Sequence, residues 1–424
     1  MPSTTTAPVL NLPLATSILD NRWVQLALSL ICMMAISSPQ YVWALMTKPM
    51  MAAFGVKLSQ LQVTFSILIV FQTFLSPFQG YLIDRFGPRL LLSIGGALTG
   101  LSWIPASQVS DLSHLYLTYG LLGGIGTGVI YVGIVGQMVQ WFPDKRGFAT
   151  GMVAAGYGMG AVLTTFPVSS SIAAVGFQQT LLQFGFIFGA VALVAAQGMR
   201  RPPANWMQHA VGQTKSEDGV APALMLRSPV FWLMFLMFSM MSTSGLMVIS
   251  QMGAFAKDFG ITAVEVFGMA ALPLALTIDR FTNGLTRPFF GWISDRIGRE
   301  KTMLLAFGLE GLAMTLWLLT RDNAMLFVLL SGVVFFGWGE IFSLFPSTLT
   351  DTFGKKHATT NYGFLYMAQG VGSILGGPLA AWMHESTGTW TSVFAVVITL
   401  DFITAILAIA VLKPMREKLL AAKG

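Results

Sequence analysis

Twelve apolar stretches, each long enough to cross a bilayer, constrain this chain more than any other feature. They cover about residues 23–46, 59–83, 90–107, 113–139, 148–170, 177–198, 229–255, 264–292, 302–320, 325–348, 360–383 and 389–412 of 424. A helix needs about 20 mostly apolar residues to span a hydrocarbon core about 30 Å thick. The runs are continuous and lack dyad alternation, which predicts helices rather than barrel strands. Only 10% of the residues are charged, against about 25% in a soluble domain, so a soluble enzyme is excluded. The expected fold is an all-α membrane protein with twelve transmembrane helices in two pseudo-symmetric six-helix halves.

Basic residues set the expected sidedness. With both termini cytoplasmic, eighteen of the 24 Lys and Arg fall inside, and only Lys48, Lys57, Lys257 and Arg321 fall outside. Arg280 and Arg287 lie within a span. The inverted topology would need the opposite bias. The net charge of +6 therefore reflects a lipid bilayer as partner, not nucleic acid. Residues 1–22 lack the basic start and cleavable apolar core of a signal peptide, so the first span is expected to direct insertion. The single Cys32 excludes an intrachain disulfide.

The longest hydrophilic interruption, 199–228, reads as a cytoplasmic linker between an N-terminal half (1–198) and a C-terminal half (229–424). Internal repetition supports the same division. Gly80-Tyr81-Leu82-Ile83-Asp84-Arg85-Phe86-Gly87 is echoed by Gly291-Trp292-Ile293-Ser294-Asp295-Arg296-Ile297-Gly298, with the Asp-Arg pairs 211 residues apart. Gly151, Gly158 and Gly160 recur as Gly363, Gly370 and Gly372 at an offset of 212. Two unrelated features at nearly one spacing indicate duplication, and parallel repeats with a site near midplane are a transporter plan.

The repeated Gly-x-x-x-Asp-Arg-x-Gly loop resembles that of the major facilitator superfamily. Gly80, Asp84, Arg85, Gly291, Asp295 and Arg296 are then expected to form cytoplasmic gating loops, where Gly permits a tight turn and Asp pairs with a neighbouring base. Further motifs are similar to the oxalate/formate antiporter family. They are Gln40-Tyr41, the run Trp141 to Gly147, Ala154-Ala155-Gly156-Tyr157-Gly158, Asn283-Gly284-Leu285-Thr286-Arg287-Pro288, Trp338-Gly339, Phe345-Pro346-Ser347-Thr348 and Asn361-Tyr362-Gly363-Phe364.

Arg287 is the most informative position. It lies eight residues before Asp295, about 12 Å along a helix, and a charge at that depth needs a cavity or a partner. A guanidinium fork matches a carboxylate in bidentate geometry. The resemblance implies that this is the substrate-binding arginine. Asn283 shares its helical face, as does Arg280, which is expected to form a local salt link with its neighbour Asp279, to serve as a second anion contact, or to pair with another helix. Where the family places a lysine in the eleventh span, this chain has Gln369. An amide bonds a carboxylate without neutralising it, so a dianion is less well compensated.

By resemblance, Tyr41, Tyr131, Tyr157, Trp338, Phe342 and Tyr366 form an aromatic box beside Gln40, dry enough to hold a small carboxylate. Glu340, two residues beyond Trp338, either pairs with an arginine or binds a proton; Glu310 and Asp401 also fall inside spans. No metal cluster, phosphate loop or nucleophile–base pair is present, so no cofactor and no catalysis are expected. The expected function is secondary active transport of small organic anions across a bacterial inner membrane, by oxalate/formate-type exchange. The alternative is proton-coupled uptake of a monocarboxylate such as lactate or pyruvate.

Overall fold

Lipid on the outside and polar groups on the inside dictate the architecture. A computed structural model of the chain describes residues 17–142, 146–203, 219–354 and 357–422. Residues 204–218 of the central linker and the basic residues Lys145, Lys215, Lys355, Lys356 and Lys423 lie outside those residues, as do Pro143 and Asp144 of the fourth-span motif. The expected apolar stretches are largely helical, but the eighth, 264–292, opens with the strands Glu265–Val266 and Met269–Ala270, the only paired strands among the described residues, and becomes helical at Ala271.

By length and hydropathy, seven helices qualify as spans, or eight if the pair Leu58–Phe74 and Ser76–Ile83, bent by 49°, is one. The helix Ala271–Ile297 is long enough but does not qualify. Asp279, Arg280, Arg287, Asp295 and Arg296 load every 18-residue window of it with at least three charges. The helix least like a membrane span by composition is thus the one that carries the expected site. One helical stretch, Thr165–Gln197, is two helices joined at Gly176, whose φ of 81° breaks the ladder.

Leu305, Leu312, Leu316, Leu319, Ile403 and Ile406 are exposed on helix faces, whereas Gln40, Gln62, Gln72, Asn283, Arg287, Glu310, Glu340, Gln369 and Asp401 are buried. Hydrocarbon is as apolar as leucine, so outward leucines cost nothing, while polar groups must find one another inside. Small residues let helix backbones meet. Gly100 stacks on Gly189, Gly160 packs on Met34 and Ser37, and Gly372, at the equivalent repeat position, packs on Ser242 and Thr243. Gly87 (φ 93°) and Gly298 (φ 96°) end the two duplicated loops in a backbone region that side-chain-bearing residues rarely adopt.

Hydrogen bonds cross between the halves at the end opposite the termini. Ser59 donates through its backbone N–H and its hydroxyl to Glu385 (2.9 and 2.8 Å). Gln62 donates to the Ser250 carbonyl (2.8 Å), and Ser66 to that of Ser373 (2.6 Å). This belt clamps the two halves together at one end of the molecule.

Candidate functional site

Three helices break at mid-depth, each beside an expected site residue. The first span is interrupted around Ser38–Tyr41, which brings Gln40 and Tyr41 inward. After Tyr157, the helix Arg146–Met159 tightens into a short 3₁₀ turn, Gly160–Leu163. The helix Ala324–Trp338 stops at Trp338 and resumes at Ile341. At that third break a Cβ on Gly339 would stand 2.6 Å from the Asn283 Oδ1 and 2.8 Å from its carbonyl, so glycine permits the closest approach.

Arg287 sits where these breaks converge, 2% exposed. Its Nη1 donates to the Ala154 carbonyl of the other half (2.5 Å), and its Nη2 to Asn283 Oδ1 (3.3 Å). Phe342 lies under the guanidinium, 4.5 Å from Cζ to ring centroid. Its Nε has no partner, and no carboxylate of the described residues lies within 4.0 Å of it. Gly158 stands against the same group: a Cβ there would meet Nη2 at 3.3 Å. A buried cation held by neutral oxygens keeps its full charge for a guest.

Tyrosines and amides line the space around it. Asn283 donates to the Tyr41 hydroxyl (3.2 Å). Tyr157 donates to Gln40 (2.6 Å) and accepts from Gln72 (2.9 Å). Rings run on from Tyr41 to Tyr157 (5.4 Å), Tyr131 (5.2 Å) and Tyr366 (5.4 Å, nearly parallel), and then to Phe342 (6.3 Å) and Trp338 (5.5 Å). The Tyr131–Tyr366 stack joins the two halves. Of the expected box, Arg287, Asn283, Gln40 and all six aromatics therefore form one connected group. Gln72 was absent from the expectation. Its only sequence signal was a glutamine inside an apolar run.

Gln369 is buried one helical turn beyond Tyr366, with its Oε1 unpartnered; no hydrogen bond ties it to Arg287. Arg280 is fully buried between the Tyr41 and Phe335 rings, at 4.3 and 4.5 Å. Its Nη2 stands 3.7 Å from Asp279 Oδ2, beyond hydrogen-bond reach, and its Nε donates to the Leu276 carbonyl (3.2 Å). Glu340 is buried with neither oxygen hydrogen-bonded and with neither arginine within 4.0 Å.

The duplicated loops pair within each half. Asp295 binds Arg299 (2.7 Å), which also reaches Asp351 (3.0 Å), while Arg296 lies over Trp292 (3.8 Å). Arg85 reaches the Tyr81 hydroxyl (3.5 Å) and lies over Phe86. The Asp84 side chain is outside the described residues. Gly80 faces Val132, and Gly291 has open space around it.

A bilayer-spanning helical protein with a buried polar centre between two bundles is the class these features define. A family model described as Major Facilitator Superfamily matches residues 26–278 and 270–424, and the chain belongs to that superfamily. It is a transporter, not an enzyme. It is 34% identical over 403 residues to the oxalate:formate antiporter of Oxalobacter formigenes, covering 95% of this chain and 94% of that protein. An uncharacterized MFS-type transporter of Escherichia coli, YhjX, is 27% identical over 83% of this chain and 86% of its own length. The monocarboxylate transporter 13 of Rattus norvegicus is 26% identical over 81% of this chain and 78% of its own length.

Proposed function

We propose that this protein carries small carboxylates across a bacterial inner membrane by oxalate/formate-type exchange, with both termini in the cytoplasm. The observation that carries the reading is Arg287, a buried cation between the halves with no acidic partner within reach. A carboxylate entering the aromatic box takes its two oxygens to the guanidinium, with Asn283 and the tyrosine hydroxyls completing the contacts. The halves 1–198 and 229–424, joined by the linker 199–228, then rock about the bound anion. With the box empty, Arg287 lacks a counter-ion, and moving an unpaired charge through the closed state is costly; that cost favours exchange over one-way flux.

Proteoliposomes loaded with formate should take up labelled oxalate, and the reverse, many times faster than empty ones. Equal uptake into empty vesicles would overturn obligatory exchange. Gln369 supports a second reading, proton-coupled uptake of a monocarboxylate, because one cation of the antiporter pattern is missing there. The likeness to a protein named as a monocarboxylate transporter supports it too. Uptake driven by an acidic outside, with no internal anion, selects that mode.

A further inference from the structure

Away from Arg287, the C-terminal half holds a second group of charges. Glu310 of the helix Arg299–Leu319, Glu340 at the broken helix, and Asp401 of the helix Trp390–Leu407 are all fully buried. Gly337, three residues before Glu340, packs directly on Glu310, and Asp401 is bonded to Ser244, whose neighbour Gly245 packs on Trp338, two residues before Glu340. Of the three acids' six carboxyl oxygens only Asp401 Oδ2 has a hydrogen bond, from the Ser244 hydroxyl at 3.1 Å. Among the described residues no Lys, Arg or His lies within 4.0 Å of any of them. Three bare carboxylates in hydrocarbon are untenable. Protons or a cation must neutralise them, and no group of acidic, His or Cys side chains among the described residues is placed to share a metal ion.

The group adjoins the anion site. Ser244 bonds Asp401, and its chain neighbour Gly245 packs on the Trp338 indole, whose Nε1 donates to the Met241 carbonyl (2.8 Å). Across the break, Gly339 presses on Asn283 while Glu340, with both oxygens free, belongs to the acidic group. The helices packed around Glu340 contribute Ser244, Glu310, Asp401 and, from the site helix, Arg287, whose charge attracts it from beyond contact distance. Asp279 and Arg280, on that same helix, pair with each other at 3.7 Å, the guanidinium lying between the Tyr41 and Phe335 rings.

We propose that Glu310, Glu340 and Asp401 form a proton-binding site beside the Trp338 indole, and that a carboxylate arriving at Arg287 draws one proton onto it. The inference rests on carboxylate binding at Arg287. With the box empty, the Arg287 charge offsets part of the cost of one ionised carboxylate at Glu340, the other two acids carrying protons. A bound carboxylate cancels that field, and a proton from water joins a Glu340 oxygen; no bond of the guest changes. By linkage the effect is reciprocal, so the protonated site binds carboxylate more tightly.

The test is calorimetry of oxalate and formate binding to the purified full-length protein, in buffers of different ionisation enthalpy across neutral pH. Both ligands are fully ionised there and bring no proton of their own. The wild type should take up close to one proton per anion, with affinity falling up to tenfold for each pH unit of increase. Glu340→Gln should bind with no proton uptake and a pH-independent Kd, and Glu340→Asp should restore both behaviours. Binding without proton uptake in the wild type, or uptake that persists in Glu340→Gln, overturns the proton site alone. No binding of either anion at any pH overturns the site and the reading it rests on together. If Glu340→Gln does not fold, the wild-type proton count and pH slope still decide.

Discussion

Replacing Arg287 by glutamine removes the charge and the fork while keeping a shorter polar amide, so it reports what the guanidinium contributes. That side chain makes two hydrogen bonds, to Ala154 and to Asn283, and its Nε has no partner among the described residues. A bound carboxylate would accept charge-assisted bonds from it, and truncating one partner of such a buried pair costs about 2–5 kcal/mol. At about 1.4 kcal/mol per decade, Kd rises at least about thirtyfold. Thermal stabilisation by ligand reads this directly. At a ligand concentration of about 100 times Kd the wild type gains about 2.7 kcal/mol, and a variant binding about a hundredfold more weakly gains only about 0.4 kcal/mol. Arg287→Lys keeps the charge but not the fork, so its gain should fall between these values. The assay is a melting curve in detergent with and without oxalate, beside an uncharged control of equal osmolarity. An undiminished shift in Arg287→Gln would refute the site.

Tyr157→Phe strands Gln40 and Gln72, its two hydrogen-bond partners, and should cost about 1–3 kcal/mol of stability, checked by chemical or thermal unfolding. Gln369→Lys adds a cation beside the aromatic box and should raise the affinity for oxalate over formate by roughly tenfold, the size of one charge-assisted bond; competition binding measures the ratio. Glu385→Ala removes both bonds from Ser59 at about 0.5–1.5 kcal/mol each. Amide exchange at residues 58–66 should quicken several-fold, and an unchanged pattern would mean that this contact does not hold the end closed.

Much of the fold was legible because hydrocarbon imposes its own grammar. The apolar runs marked helices, and the duplicated Asp-Arg loops marked a repeat. Arg287 and Asn283, four residues apart, had to share a face, and their hydrogen bond shows that they do. The buried arginine also stood out as a charge with no local reason to be there. Other features were not legible. Nothing near Gln72 in sequence says that it will meet Tyr157, 85 residues away. The Asp279–Arg280 adjacency pointed to a local salt link, and the two do pair, at 3.7 Å. That the Tyr41 and Phe335 rings cover the guanidinium on either side was not legible in the sequence.

From residue order alone came the membrane, the helices, the duplication and the arginine at the centre, because each depends on composition or on spacing within one helix. Tertiary structure alone decided what that arginine touches, that its charge is left unpaired, and that Glu310, Glu340 and Asp401 come together. Those three acids belong to separate helices, and only the packing of one helix on another determines which buried groups meet.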